Sequence, residues 1–168
     1  MLVLSAVSLT MTANQDIVIR QAIVEDLPQI ADFRWRLKTG DAAEFDAVQR
    51  AAFVSAFVTE QSQSRNFSHW VAELDCQLVA IMSIGRVPKL PSPDQRSAAL
   101  GYLTNCYTLP AFRRLGIGSR LLAVIITWAR AQEYELLLVW PSDPSYAFYG
   151  RSGFRKCDDP LILDLQSH

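Results

Sequence analysis

The chain has 168 residues, of which 50% are hydrophobic and 20% are charged, and its net charge is -1. This length predicts one well-buried domain, and the composition excludes a disordered or fibrous chain. Because no overall positive charge attracts polyanions, an extended nucleic-acid interface is not expected, and any anion site must be local.

The N-terminal residues and the cysteines bear on the cellular location of the protein. Residues 1 to 13 carry no basic residue, are too short for a membrane span and make a poor secretory signal. They predict a flexible extension, with Met11 as an alternative start, before a single domain at residues 14 to 168. Cys76, Cys106 and Cys157 lie far apart without metal-ligand spacing, as expected of a reduced, cytoplasmic chain that holds no metal.

The first predicted elements are a strand and two helices. Ile17 and Ile19 alternate with polar neighbours in "DIVIRQA", which predicts a strand, and "EDLPQIADFRWRL" has apolar residues at helical spacing after an acidic first turn. The stretch "AEFDAVQRAAFVSAFVTE" predicts a second amphipathic helix. Its expected inward stripe consists of Phe45, Val48, Ala52, Phe53 and Ala56.

The middle of the chain predicts antiparallel sheet. The β-rich runs "FSHWVAEL" and "LVAIMSIGRV" have hairpin spacing, with Asp75 available for the turn. Three prolines within residues 87 to 97 predict a surface loop. The stretch "SAALGYLTNCYTL" predicts a long strand that ends at Pro110, because proline cannot donate to a sheet ladder.

The last third predicts a parallel crossover and a short helix. "GIGSRLLAVIITWARAQ" has one apolar helical face, and "ELLLVW" is apolar from Leu136 to Trp140, as expected of a strand covered on both faces. Asp143 and Gly153 are the expected N-cap and left-handed C-cap of the short helix, and "FRKCDDPLILDLQ" predicts one or two closing strands. The fold class is α/β with a mixed sheet.

The loop "RRLGIG", residues 113 to 118, lies between the long strand and the next helix. Amides at a helix N-terminus lack intrahelical partners, glycines allow close approach and arginines add charge, so this loop favours a phosphate or pyrophosphate. The P-loop pattern is absent because no Gly-Lys-Ser/Thr triplet occurs, and the dinucleotide pattern fails because its third glycine position is Leu121. The alternative is that the glycines only permit a tight turn.

Two motifs resemble those of the GNAT family of N-acetyltransferases. "LTNCYTLPAFRRLGIGSRLL" resembles the family's central Arg/Gln-x-x-Gly-x-Gly/Ala loop after a strand, often with a proline at the position of Pro110. "AFYGRSGF" resembles a second hallmark, in which a Phe-Tyr pair precedes a Gly-Phe pair. The order of the predicted elements also resembles the family's fold over residues 16 to 165, with antiparallel N-terminal strands and a splayed parallel strand pair flanked by helices.

The resemblance implies a site for acetyl-CoA. The pyrophosphate would be held by Arg113, Arg114, Leu115, Gly116, Ile117, Gly118 and Ser119, largely through backbone amides. The backbone of Cys106 and Thr108 would hold the pantetheine arm, and the Cys106 amide would polarise the thioester carbonyl. Tyr149 matches the general acid, and Ser142 stands where relatives often have an asparagine that contacts the pantetheine.

Several roles stay open at this stage. Tyr149 could be a packing aromatic, and Cys106 could be a nucleophile, although neither histidine of the chain neighbours it in sequence. The long strand lacks the glutamate that many family members carry as a base. The remaining candidates for the base are Glu73, Asp75, Asp41, Glu44 and water held by Thr104 or Asn105.

The function implied is an N-acetyltransferase that moves an acetyl group from acetyl-CoA to a primary amine of a small molecule or peptide by direct attack. The acceptor cleft is expected within residues 35 to 49, where Trp35, Asp41, Glu44 and Asp46 suit a cationic amine. The alternative function is a sensor or scaffold that binds acetyl-CoA without turnover. Nucleic acid and membranes are not expected partners, and a homodimer is left open.

Overall fold

A computed structural model describes residues 17–41, 47–91, 93 and 99–157. Within this part, one five-stranded sheet has the order β1-β2-β3-β4-β5, with β4 and β5 parallel and the other neighbours antiparallel. The strands are β1 Val18–Gln21, β2 Phe67–Leu74, β3 Gln77–Pro88, β4 Ala99–Thr108 and β5 Tyr134–Val139. The helices are α1 Leu27–Thr39, α2 Ala47–Gln63, α3 Ile117–Ala131 and α4 Tyr146–Gly150. The mixed α/β class is confirmed.

The two faces of the sheet carry different helices. On one face, α3 buries Ile117, Leu121 and Ile125 against the sheet. On the other face, Ile30 and Phe33 of α1 pack near Ile81 and Tyr107. Each aliphatic side chain buried in this way stabilises the fold by about 1.5–3 kcal/mol, so these two layers hold the sheet between them.

The hairpin between β2 and β3 confirms the predicted turn. Asp75 and Cys76 have φ angles of 48° and 61°, the left-handed pair that a two-residue type I′ turn requires. The neighbouring β1 is anchored to the same hairpin, because Arg20 binds Glu73 at 2.8 Å and Asp26 at 2.7 Å.

The structure corrects the predicted inner face of α2. Val48 is 76% exposed, and Ala52 and Ala56 are exposed too. Phe53 does lie on the half-buried face, as predicted, but it shares that face with Phe57, and their rings pack towards Trp35 and His69. These aromatic partners decide which side of α2 points inward, and Phe45 lies outside the described residues.

The exposure of β5 and the end of β3 also differ from expectation. Leu136 of β5 is 46% exposed and Trp140 is 62% exposed, because β5 is an edge strand of the described sheet. Val87 and Pro88 belong to β3, since they pair with Leu100 and Ala99 of β4. The predicted loop therefore begins later than expected.

The C-terminal elements also differ in part. Asp143 begins a short 3-10 turn, Asp143–Ser145, for which Ser142 is the N-cap residue, so Asp143 is not itself the cap. Gly153 has the expected positive φ, 90°, but it is not the C-cap of α4, because this helix ends at Gly150 and its C-cap residue is Arg151. Residues 155–157 are not in a strand, and residues 158–168, like residues 1–16, lie outside the described part.

Candidate functional site

The parallel strands β4 and β5 separate halfway along their length. Their pairing begins at Ala99 with Tyr134 and ends at Leu103 with Val139. From Thr104 to Thr108, β4 continues without a partner on β5 among the described residues. This splay opens a gap beside the second half of β4, as the family resemblance implies.

A β-bulge lies where this gap begins. Ser83 pairs with Thr104 and Ile81 pairs with Tyr107, so Asn105 and Cys106 together oppose the single residue Met82. Asn105 has φ of 52°, a left-handed conformation that asparagine tolerates better than most residues. The sequence analysis did not predict this bulge, and its one local signal is an asparagine inside a strand.

The bulge determines which backbone groups face the gap. The Leu109 amide donates to the Val79 carbonyl of β3 at 2.9 Å. Because backbone groups alternate in direction along a strand, we expect the amides of Thr108 and Cys106 to face away from β3 and towards the gap. These are the two backbone positions that the resemblance assigns to the pantetheine arm.

The glycine loop leads into α3 next to this gap. Arg114 and Gly116 have φ angles of 65° and 77°, and α3 begins at Ile117, ahead of the predicted opening residue Ser119. The first helical bond of α3 runs from the Arg120 amide to the Gly116 carbonyl at 3.0 Å. The amides of the preceding residues in the first turn therefore have no intrahelical acceptor and are available to an anion.

Gly118 is the point where α4 approaches α3. A Cβ atom at Gly118 would lie 3.5 Å from the ring of Phe148, which is ordinary van der Waals contact. Around it, Ile117 is buried in the core, whereas Leu115 is 53% exposed and Ser119 is exposed. A Cβ atom therefore fits at this position, whereas a larger side chain would meet the Phe148 ring of α4, the helix that also carries Tyr149.

Arg113 connects the loop to the end of α1. Its Nε donates to the Thr108 carbonyl at 2.9 Å, its Nη2 donates to Asp41 at 2.7 Å, and its guanidinium lies over the Tyr107 ring. The Tyr107 hydroxyl also donates to Asp41. These hydrogen bonds from Tyr107 and Arg113 lower the pKa of Asp41, which makes this carboxylate a weaker base. Arg114 is exposed, as Arg113 is.

Tyr149 and Cys106 meet on the α3 face of the sheet. Tyr149 is buried, packs on Phe148 and Phe154, and places its hydroxyl beside the Cys106 thiol. Burial and the neighbouring Cys106 raise the pKa of Tyr149 above its ordinary value, so the hydroxyl keeps its proton at neutral pH. Burial likewise raises the pKa of Cys106, which disfavours the thiolate that a nucleophile needs.

The remaining predicted site residues lie around this centre. Ser142 is exposed after the end of β5, and its Oγ lies 2.8 Å from that of Ser145. Of the candidate bases, Glu73 is engaged with Arg20, and Asp75 is in the hairpin turn. The ring of Trp35 packs on Phe53 of α2, while Glu44 and Asp46 lie outside the described residues.

The described residues also bear on metal sites and membrane spans. No group of three or more histidine, cysteine, aspartate or glutamate side chains there is arranged to hold a metal ion. Nor is any helix in the same part of the chain long and apolar enough to span a membrane.

Comparison with known proteins identifies the family. Residues 27–154 match the model of the acetyltransferase (GNAT) family, whereas no curated protein sequence matches. Similar solved structures include a predicted acetyltransferase with acetyl-CoA from Clostridium acetobutylicum, with TM-score 0.71 and 23% identity over 90% of this chain and 98% of that chain. A possible acetyltransferase from Clostridium difficile 630 has TM-score 0.70 and 19% identity over 90% and 99% of the two chains.

A third similar structure is glucosamine-6-phosphate N-acetyltransferase from Arabidopsis thaliana, with TM-score 0.64 and 14% identity over 89% of this chain and 98% of that chain. At these identities the structural likeness shows the shared fold alone. The family model covers most of the chain, including the splayed strands, the glycine loop and α4. The chain therefore belongs to the GNAT family of acetyltransferases.

Proposed function

We propose that this protein transfers the acetyl group of acetyl-CoA to a primary amine of a small molecule or peptide by direct attack. The observation that carries the proposal is the meeting of three features at the end of β4. The buried Tyr149 hydroxyl lies beside Cys106, the strand has lost its β5 partner there, and the open N-terminus of α3 follows at once.

Different groups of the chain would bind different parts of acetyl-CoA. The first-turn amides of α3 and the loop from Arg113 to Gly118 would take the pyrophosphate, since they combine unpaired donors with nearby positive charge. The amides of Cys106 and Thr108 would bind the extended pantetheine arm as a neighbouring strand would. Ser142, at the end of β5, would contact the same arm from the other side of the gap.

Two groups would act on the reacting atoms. The Cys106 amide would donate to the thioester carbonyl oxygen, where negative charge develops as the amine attacks. Tyr149 would give its proton to the departing sulfur, which requires a hydroxyl that is still protonated at neutral pH, in agreement with its raised pKa. The raised pKa of Cys106 supports direct attack over an acyl-cysteine route.

The acceptor is assigned only to a chemical class. A primary amine is supported by the family and by the amino-sugar acceptor that names the Arabidopsis neighbour. Asp41 is already bound by Arg113 and Tyr107, so the expectation that it directly attracts a cationic amine is weakened. The same two contacts make Asp41 a weaker candidate for the general base.

The first test is calorimetric titration with acetyl-CoA, with dephospho-CoA and ATP as controls. We expect micromolar binding of acetyl-CoA, corresponding to about -8 kcal/mol, and weaker binding of ATP. An amine panel with detection of released thiol then tests transfer. Binding without transfer to any amine would favour the sensor or scaffold alternative, and no binding would contradict the proposal.

A further inference from the structure

A line of hydrogen-bonded side chains crosses the sheet from α2 to the bulge in β4. His69 of β2 lies between two partners, with its Nε2 3.2 Å from Gln61 Oε1 and its Nδ1 2.8 Å from Ser83 Oγ. Ser83 Oγ lies in turn 3.5 Å from Nδ2 of Asn105. Ser83 and Asn105 are only 1% and 6% exposed, so water does not compete freely for these contacts.

The donors in this line all point the same way. The Gln61 oxygen can only accept, so the His69 Nε2 carries a hydrogen and Nδ1 is the acceptor. The Ser83 hydroxyl therefore donates to His69 and accepts from the Asn105 amide group. The side chains described against His69, namely Phe57, Phe67, Gln61 and Ser83, are uncharged, which suits a neutral imidazole.

The line ends at the most constrained residue of the site. Asn105 has left-handed backbone geometry within a strand, a conformation that costs roughly 1–2 kcal/mol for a residue with a Cβ atom. Its Oδ1 is buried without a hydrogen-bond partner, so the contact to Ser83 is the described anchor of this side chain. The next residue is Cys106, whose amide we expect to face the gap between the strands.

We propose that His69 is a positioning residue for acetyl transfer, holding the Asn105 bulge through Ser83 and thereby aiming the Cys106 amide at the thioester carbonyl. The catalytic part of this inference, an effect of His69 on acetyl transfer, rests on the proposed function. The geometric part, in which His69 determines the conformation of the bulge, is independent of it. Gln61 of α2 completes the line by keeping the acceptor nitrogen of His69 towards Ser83.

A matched pair of variants distinguishes the effect of the hydrogen-bond acceptor of His69 from the effect of its aromatic ring. His69→Asn keeps an acceptor oxygen near the position of Nδ1, whereas His69→Phe keeps an aromatic ring but removes the acceptor. For His69→Phe we expect kcat to fall roughly tenfold, a part of the loss caused by removing an oxyanion donor, with KM for acetyl-CoA nearly unchanged. His69→Asn should retain most of kcat.

Ser83→Ala removes the same link with a small change in volume, so it serves if His69→Phe does not fold. We expect it to lower kcat as His69→Phe does, and the two changes combined should not be additive. Wild-type kcat in His69→Phe or Ser83→Ala would overturn the inference. Equal losses in His69→Asn and His69→Phe would also overturn it, because the ring and not the acceptor would then matter.

A measurement without turnover separates this inference from the proposed function. The chain has three cysteines, so cysteine-selective ¹⁵N labelling yields three amide signals, and Cys106→Ser identifies that of Cys106. His69→Phe should move the Cys106 signal and leave those of Cys76 and Cys157 in place. That result in a protein without transferase activity would support the positioning of the bulge and contradict the proposed function. An unmoved Cys106 signal would overturn the inference.

Discussion

The Tyr149 hydroxyl is the proposed proton donor of the site, and its environment keeps it in the protonated form that a donor needs. Its burial and its contact with Cys106 keep it protonated at neutral pH. We therefore expect Tyr149→Phe to lower kcat by roughly 10²-fold, the lower end of what general acids contribute, while the Kd of acetyl-CoA changes little. Steady-state kinetics together with calorimetry check both quantities.

Tyr146 offers a matched control on the same helix. It is 44% exposed and its ring lies under Lys156, away from Cys106. Tyr146→Phe should leave kcat unchanged. Equal kcat values in the Tyr149→Phe variant and the wild type would assign the acid role to another group.

Arg113 and Asp41 form the second residue-scale test. If Arg113 contributes charge to the pyrophosphate site, its bond to Asp41 competes with the ligand. Arg113→Ala should then weaken acetyl-CoA binding by roughly tenfold, the value of one charge-assisted hydrogen bond, and Asp41→Asn should tighten binding. Calorimetric Kd values measure both changes. Weaker binding in Asp41→Asn would show that Asp41 orients Arg113 for the ligand instead of competing with it.

At the scale of elements, the contact between the start of α3 and α4 depends on Gly118. A Cβ atom fits against Phe148, but the branched side chain of Gly118→Val must displace that ring and with it the neighbouring Tyr149. We expect Gly118→Val to weaken acetyl-CoA binding at least roughly tenfold and to lower kcat as well. Gly118→Ala is the control and should fold and bind normally.

Thermal melting should accompany these assays, because the prediction concerns local displacement in a folded protein. Normal binding of acetyl-CoA by a folded Gly118→Val variant would remove the loop from the proposed pyrophosphate site. Weaker binding of acetyl-CoA by Gly118→Ala would indicate that even a methyl group at this position blocks the approach of the ligand to the amides at the start of α3.

The elements themselves follow from local patterns to different degrees. The β2–β3 turn and the left-handed Gly153 were predicted correctly because short-range backbone preferences decide them. The inner face of α2 was predicted correctly for Phe53 but wrongly for Val48, Ala52 and Ala56, because apolar residues on several sides of this helix leave the stripe ambiguous. The aromatic partners from α1 and β2 resolve that ambiguity only in the folded molecule.

At the scale of the whole molecule, the half-buried His69 makes the free energy of unfolding depend on pH. Burial lowers the pKa of His69 from 6.5 to about 4, so the unfolded chain binds a proton that the folded chain does not bind between these values. The stabilisation is fully present above pH 6.5 and is lost as the pH falls towards 4. Its full size is on the order of 3 kcal/mol, since the two pKa values differ by roughly 2.5 and one pKa unit corresponds to about 1.4 kcal/mol.

Urea unfolding at pH 7 and at pH 4.5 measures this dependence. The carboxylates with lowered pKa values contribute to the same acid destabilisation, so the comparison that isolates His69 is between the wild type and His69→Phe. We expect the variant to lose less stability on acidification than the wild type. Equal losses in the two proteins would mean that His69 titrates normally.

The sequence by itself determined the elements and the loop that carries family-specific chemistry. Helical spacing, β-rich runs, turn residues and the "RRLGIG" and "AFYGRSGF" motifs are all local in the chain, so they are legible without a structure. These local patterns were enough to predict the α/β class and the β2–β3 hairpin, and they carry the resemblance to the GNAT family.

Only the tertiary structure decided how these parts meet. The Asn105 bulge depends on the register between β3 and β4, the exposure of β5 depends on its place at the edge of the described part of the sheet, and Arg113 meets Asp41 across 72 positions in sequence. The line from Gln61 to Asn105 likewise joins four elements. Such contacts arise from packing between segments that are distant in sequence. A local sequence pattern therefore cannot predict which residue of another segment lies opposite a given side chain.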